Sequence, residues 1–111
     1  MASSTKRIMN PQRLTGNATQ PVEDAWDAGA FTRLEAQCRF LKQGSAGGSV
    51  LLEHAAVNEE GAFIPLPGAS WNVNTDGGHA SATAFLRYIR WNTGGTVAGD
   101  PVVLIDLLGK E

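Results

Sequence analysis

The chain has 111 residues, of which 42% are hydrophobic and 18% are charged, and its formal net charge is −2. This length fits a single domain, and the composition is that of a globular protein. The weakly acidic balance excludes a protein that binds nucleic acid through its overall charge. The single cysteine, Cys38, excludes an internal disulfide and a zinc-finger framework, and we expect a buried, reduced thiol.

The first residues are polar, and no apolar stretch follows Lys6 and Arg7. We therefore expect neither a signal peptide nor a transmembrane segment. The protein should be made and used in the cytoplasm, or carried out of the cell inside something larger.

Residues 1–25 differ in composition from the rest of the chain. Residues 1–22 carry three basic side chains and no acid, for a charge of +3, whereas residues 23–111 carry eleven acids and six bases, for a charge of −5. The apolar side chains of this segment are too sparse to bury a face: Ile8, Met9, Leu14 and Val22. We predict an extended arm over residues 1–25 that becomes ordered on a partner. A chain that begins near Glu23 should then keep its fold.

From Trp26 onward the pattern predicts β-strands. Residues 32–42 alternate with period two, which is typical of a half-buried strand, and place Phe40 on the core side and Arg39 on the outer side. Residues 49–57 form a second predicted strand between glycine-containing turns at 44–48 and 58–61.

Residues 62–66 predict a short strand that Pro65 places at the edge of a sheet. Residues 71–75 alternate again, residues 81–91 are rich in β-branched and aromatic side chains, and residues 101–108 form a nearly continuous apolar run. Short strands separated by turns at these intervals indicate an all-β, antiparallel sandwich or barrel over residues 26–111.

Arg87 and Arg90 lie three residues apart, so in a regular strand they project to opposite faces. At most one of them can serve a single outer surface. The other should be exposed at an edge or paired with an acid such as Glu53 or Asp106, because an unpaired buried guanidinium is very costly.

The sequence contains no pattern that indicates catalysis. Ser49, His54 and Asp106 match a catalytic triad by residue type alone, and the cysteine, histidines and glutamates have no zinc-ligand spacing. The glycine-rich stretches lack the helix and lysine of a phosphate-binding loop. We therefore expect a protein that is not an enzyme and has no catalytic residues, no cofactor and no metal.

Three tryptophans allow two interpretations. They fill the core or an interface, or they form a platform on which a sugar stacks. A sugar-binding platform would require Trp71 or Trp91 to be exposed. The tryptophans are Trp26, Trp71 and Trp91.

The run Phe85-Leu86-Arg87-Tyr88-Ile89-Arg90-Trp91 resembles a strand of discoidin-like carbohydrate-binding sandwiches, and also the late strand of small sandwich proteins encoded among tailed-phage structural genes. Residues 51–60 with Ala62-Phe63, and the ending 101–106 with Lys110-Glu111, favour the second. With its basic N-terminal segment, the chain resembles the capsid cement or staple (decoration) proteins of epsilon15-like short-tailed bacteriophages.

This resemblance implies an antiparallel jelly-roll-like β-sandwich that acts as a virion structural protein. Such a protein is made in the host cytoplasm, binds the major capsid protein on the outer surface of an HK97-fold shell, bridges its subunits, and pairs as a homodimer. We expect no membrane and no nucleic acid as partners. The alternatives are a carbohydrate-binding sandwich module and a phage tail or connector component. The predicted capsid-contact residues lie in the arm: Lys6, Arg7, Ile8, Met9, Arg13 and Leu14.

Overall fold

The computed structural model describes residues 3–111, and within that range it contains eight β-strands and one short 3-10 turn at Val22–Asp24. The strands follow in chain order: β1 (Ser3–Arg13), β2 (Trp26–Asp27), β3 (Arg33–Lys42), β4 (Gly48–Ala55), β5 (Ile64–Asn72), β6 (Gly77–Ala82), β7 (Tyr88–Gly95) and β8 (Val102–Lys110).

The strands form two four-stranded sheets with the orders β1-β8-β3-β6 and β2-β7-β4-β5, and all neighbours are antiparallel. The first strand therefore pairs with the last, the second with the seventh, the third with the sixth and the fourth with the fifth. This nesting is the strand order of a jelly roll. The prediction of an all-β antiparallel sandwich is confirmed.

The core lies between the two sheets and is filled by alternate side chains of each strand. From β3 the core receives Leu34, Ala36, Cys38 and Phe40, and Phe40 is 7% exposed, so its predicted orientation is confirmed. Cys38 is a free, buried thiol whose pKa is raised to about 12 by its burial. The core side chains of β4, β7 and β8 include Val50, Leu52, Ile89, Trp91, Val103, Ile105 and Leu107.

The prediction of an arm outside the sandwich is wrong for residues 3–13. They form edge strand β1, which pairs with β8 from Ser3 opposite Lys110 to Arg13 opposite Val102. A register shift between Arg7 and Met9 accompanies the burial of two consecutive side chains, Ile8 and Met9, which a regular strand would point in opposite directions. Of the apolar residues that looked too sparse, Ile8, Met9 and Leu14 are thus core residues, whereas Val22 is only half-buried.

Two predicted strand boundaries also differ from the structure. Residues 81–91 belong to two strands in different sheets, since β6 ends at Ala82 and β7 begins at Tyr88, and residues 83–87 carry the chain from one sheet to the other. The separate strands predicted near residues 62–66 and 71–75 are one strand, β5. Its prolines lie at the edge of the second sheet, as Pro65 indicated.

Candidate functional site: the outer face of the β1-β8-β3-β6 sheet

The outer face of the β1-β8-β3-β6 sheet, meaning the side of that sheet turned away from the core, is lined mainly by polar and charged side chains. Because Leu34, Ala36, Cys38 and Phe40 face inward, the residues between them on β3 face outward. The pairing register aligns these residues in rows with outward side chains of the neighbouring strands.

The central row crosses all four strands as Arg7, Asp106, Gln37 and His79. Arg7 holds Asp106 with two hydrogen bonds, from Nε to Oδ1 at 2.7 Å and from Nη2 to Oδ2 at 3.0 Å. These hydrogen bonds keep the pKa of the Asp106 carboxyl below its ordinary value. A shallow groove of about 540 Å³ follows this row.

At one end of the outer face, Glu35 is surrounded by the side chains of Lys110, His79 and Arg33. Lys110 Nζ lies 2.8 Å from its Oε2, while His79 Nε2 and Arg33 Nη2 lie 3.4 and 3.7 Å from its Oε1. The hydrogen bond from Lys110 is the main reason that the pKa of Glu35 is lowered. This end of the face therefore carries acid and base together.

The opposite end carries three exposed cations, and we call Arg13, Arg39 and Lys42 the basic end. Arg13 and Lys42 lie on either side of Val102 in one row, and Arg39 lies opposite Leu104 in a nearby row. Among residues 3–111, no ion pair involves any of these three side chains. They form a local excess of positive charge on a protein whose net charge is −2.

The six predicted contact residues fall into an exposed group and a buried group. Lys6, Arg7 and Arg13 are exposed, and Arg13 joins the basic end, whereas Ile8, Met9 and Leu14 are buried and have no surface to offer a partner. The sequence reasoning missed Lys42 as a member of this site. Alternation had already placed Arg39 on the outer face, but nothing in the sequence linked it to Arg13.

A cleft of about 620 Å³ lies on the other side of β1, between that strand and residues 18–26. Gln20, which is 6% exposed, crosses it. Its Nε2 donates to the carbonyl oxygens of Ile8 at 3.1 Å and Asp24 at 3.2 Å, and its Oε1 accepts from the backbone N–H of Trp91 at 3.2 Å. Gln20 thus joins an edge strand of one sheet to the other sheet.

We expect Gln20→Ala to lower the free energy of unfolding by about 1–3 kcal/mol, because buried backbone groups lose their hydrogen-bond partner. Urea unfolding followed by circular dichroism measures the change. Gln43→Ala is the matched control, since Gln43 is exposed and donates only to the Asp76 side chain. Equal losses for the two variants would contradict the role of Gln20.

The second sheet holds a buried ion network on the side away from the core. Arg90 Nε lies 2.9 Å from Glu53 Oε1, its Nη1 lies 3.0 Å from Glu60 Oε1, and its guanidinium stacks 4.3 Å from the ring centroid of Phe63. Asn92 donates to the other Glu53 oxygen at 3.1 Å. The side chains of Arg90 and Glu53 are only 6% and 10% exposed, whereas that of Glu60 is 69% exposed, so the Arg90–Glu53 pair presents little surface to a partner.

The prediction that one of the two arginines pairs with an acid is confirmed, but the premise that both lie in one strand is wrong, because β7 begins at Tyr88. Arg90 is the buried member and pairs with Glu53, whereas the side chain of Arg87 is 57% exposed and pairs with Asp27 at 2.8 Å. The hydrogen bonds from Arg87 and from the backbone of Gly29 lower the pKa of Asp27 to about 2.

The tryptophans do not form an exposed platform. Trp71 and Trp91 are 7% and 6% exposed within the core, and Trp26 stacks on Phe31 with ring centroids 5.6 Å apart. The indole rings of Trp71 and Trp91 therefore pack against other parts of the protein and are not exposed for a sugar to stack on.

The three residues that match a triad by type are also kept apart. His54 accepts a hydrogen bond at Nδ1 from the backbone of Leu86 at 3.1 Å, and burial lowers its pKa. Asp106 lies in the other sheet and is held by Arg7. In the described part of the chain, no three His, Cys, Asp or Glu side chains converge as metal ligands. None of the helical structure in residues 3–111 is long and apolar enough to cross a membrane.

The strand order defines the protein as an eight-stranded jelly-roll sandwich. Over nearly its whole length the chain is similar to the SPBc2 prophage-derived protein YomS, whose crystal structure matches with a TM-score of 0.57. The match covers 98% of this chain and 96% of that chain at 13% sequence identity, so the likeness shows a common fold. No protein-family model and no curated protein sequence matches the chain.

Proposed function

We propose that the chain is a bacteriophage virion structural protein that decorates the outer surface of a capsid and stabilises it by bridging major capsid protein subunits. The observation that carries the proposal is the end-to-end fold likeness to a prophage-derived protein. Jelly rolls are a common fold of virion components. The proposed role needs no catalysis. What it needs is a rigid body with a surface that other proteins can bind.

The basic end supplies such a surface. Its two arginines can each hold a carboxylate through two hydrogen bonds, and Lys42 adds a third positive charge beside them. An acidic patch on the outside of an HK97-fold shell is the partner that fits this charge. Each contact can be modest in affinity, because many copies on one lattice act together.

The carbohydrate-binding alternative loses its main support, since the two tryptophans that it required are buried. A tail or connector component remains the alternative that shares the fold. The two roles differ in what the protein binds, namely the lattice of a shell or a ring at one vertex.

The test is co-sedimentation with shells assembled from the major capsid protein of the same genome. We expect saturable binding by the intact chain, with a stoichiometry that follows the number of capsid subunits. Replacing the basic end by glutamine (R13Q, R39Q and K42Q together) should weaken binding at least tenfold, about 1.4 kcal/mol. The loss should shrink at high salt, because exposed charges are screened. The melting temperature should change little, since all three side chains are exposed.

A control variant changes the net charge by the same −3 at exposed sites away from the basic end: N58D, S70D and T83D. It should bind shells nearly as well as the intact chain. An equal loss in both triple variants would assign the effect to overall charge and contradict a contact at the basic end. Absence of shell binding, together with binding to isolated tails, would favour the tail or connector role.

A further inference from the structure

Three of the four sheet edges carry features that discourage pairing with another chain. Edge strand β1 has two register shifts, three basic side chains and Pro11. Edge strand β2 is only two residues long. Edge strand β5 has a register shift and contains Pro65 and Pro67. Short length, prolines, charges and bulges are the usual means by which an edge strand avoids adding a partner.

The fourth edge, β6 (Gly77–Ala82), has none of these features. It is six residues long, contains no proline and no Lys, Arg, Asp or Glu, and pairs with β3 without a register shift. Its sequence is Gly-Gly-His-Ala-Ser-Ala, in which His79 is the only large side chain.

The hydrogen-bond register defines which backbone groups of β6 are directed outward. Phe40 N donates to Asp76 O at 3.1 Å, immediately before β6 begins. Because residues of an antiparallel strand alternate in the direction of their N–H and C=O groups, Gly78 and Ala80 direct theirs toward β3. His79 and Ser81 therefore direct theirs to the side on which the sheet ends.

We propose that β6 pairs antiparallel with β6 of a second copy of this chain, across a two-fold axis at Ala80, so that the two sheets become one. In this register His79 lies opposite Ser81 of the partner subunit, and Ser81 lies opposite the partner's His79. Both pairs use the outward backbone groups, which gives four new hydrogen bonds between the copies.

The partner strand at the β6 edge belongs to a second copy of this chain, because the side chains of β6 are complementary to those of an antiparallel β6. An axis at Ala80 matches each imidazole with a hydroxyl, a pair that already lies 3.5 Å apart within one chain. An axis at His79 would place two imidazoles opposite each other, and it would use Gly77, whose N–H already donates to Thr75 Oγ1 at 3.3 Å. The axis is perpendicular to the sheet, so both basic ends lie on the same side of the dimer. The pairing itself does not depend on capsid binding.

The first test is sedimentation equilibrium of the full chain over a wide range of concentrations. We expect a reversible dimer. Ser81→Pro removes an outward N–H, which an edge strand tolerates, and should raise the dimer dissociation constant at least tenfold while the circular dichroism stays the same. Ser81→Ala keeps that N–H and should weaken the dimer far less than Ser81→Pro, because it loses only the hydroxyl that faces His79 of the partner subunit. A monomer at every concentration, or a dimer that is indifferent to Ser81→Pro, would overturn the proposal.

The second test remains informative if Ser81→Pro does not fold. Ala80→Cys places two thiols at the axis, where the Cα atoms of facing residues are about 4.5 Å apart, within the range of a disulfide. Mild oxidation should give a covalent dimer of this variant. The intact chain should give none, because its only thiol, Cys38, is buried with a raised pKa. If the His79→Cys variant formed the covalent dimer and the Ala80→Cys variant did not, the proposed position of the two-fold axis would be wrong.

Discussion

Removing residues 1–22 is expected to unfold the protein. The deletion removes β1 and its pairing with β8, the cross-link by Gln20, and three core side chains, Ile8, Met9 and Leu14. Loss of each buried side chain of this size costs about 2–5 kcal/mol, and a whole domain has only about 5–15 kcal/mol of stability. Circular dichroism and thermal melting measure the result. We expect neither the β-sheet spectrum nor a cooperative transition.

The control keeps the length of the chain and removes only surface charge. Lys6→Gln together with Arg13→Gln should melt like the intact chain, because both side chains are exposed. A truncated chain with a native spectrum and an unchanged melting temperature would show that residues 1–22 lie outside the cooperative fold, as an arm would.

The second large effect is expected at the buried ion network. Arg90→Met leaves the Glu53 carboxylate, whose side chain is 10% exposed, with Asn92 but without its cation. Removing one partner of a buried pair costs about 3–5 kcal/mol. Arg87→Met is the matched control, because its ion pair with Asp27 is exposed, and such pairs contribute about 0–1 kcal/mol. Urea unfolding measures the loss in the free energy of unfolding for each of the two variants.

A double variant separates charge burial from packing. Glu53→Leu combined with Arg90→Met removes both buried charges and should be more stable than Arg90→Met alone, because no uncompensated carboxylate remains. If the double variant were no more stable than Arg90→Met alone, the loss would not come from an uncompensated carboxylate at Glu53, and the ionic explanation would be wrong.

The strands that the sequence predicts well are those with one buried face. Alternation in β3 predicts both its position and the orientation of Phe40, and the apolar run over residues 101–108 predicts the position of β8, which lies between β1 and β3. Pro65 correctly indicates an edge because its missing N–H is tolerated only where no neighbour follows. In each case the signal is local, since one strand carries it alone.

The features that the sequence does not reveal depend on pairing between distant segments. In β1 the register shift buries two consecutive side chains, so no period appears, and its low apolar content suggests an arm. The basic end exists only because Arg13 and Lys42 both align with Val102. Residues 83–87 look like part of one strand because periodicity does not mark where a chain passes from one sheet to another.

The position of β8 between β1 and β3 has a consequence for synthesis on the ribosome. Residues 102–110 are translated after all the other strands, and until they emerge neither β1 nor β3 has its main neighbour. The sandwich therefore closes only once β8 has left the ribosome, in a slow step dominated by pairing between distant segments. In the interval the nascent chain exposes unpaired strand edges, so its yield in a cell should depend on chaperones and temperature more than its final stability suggests.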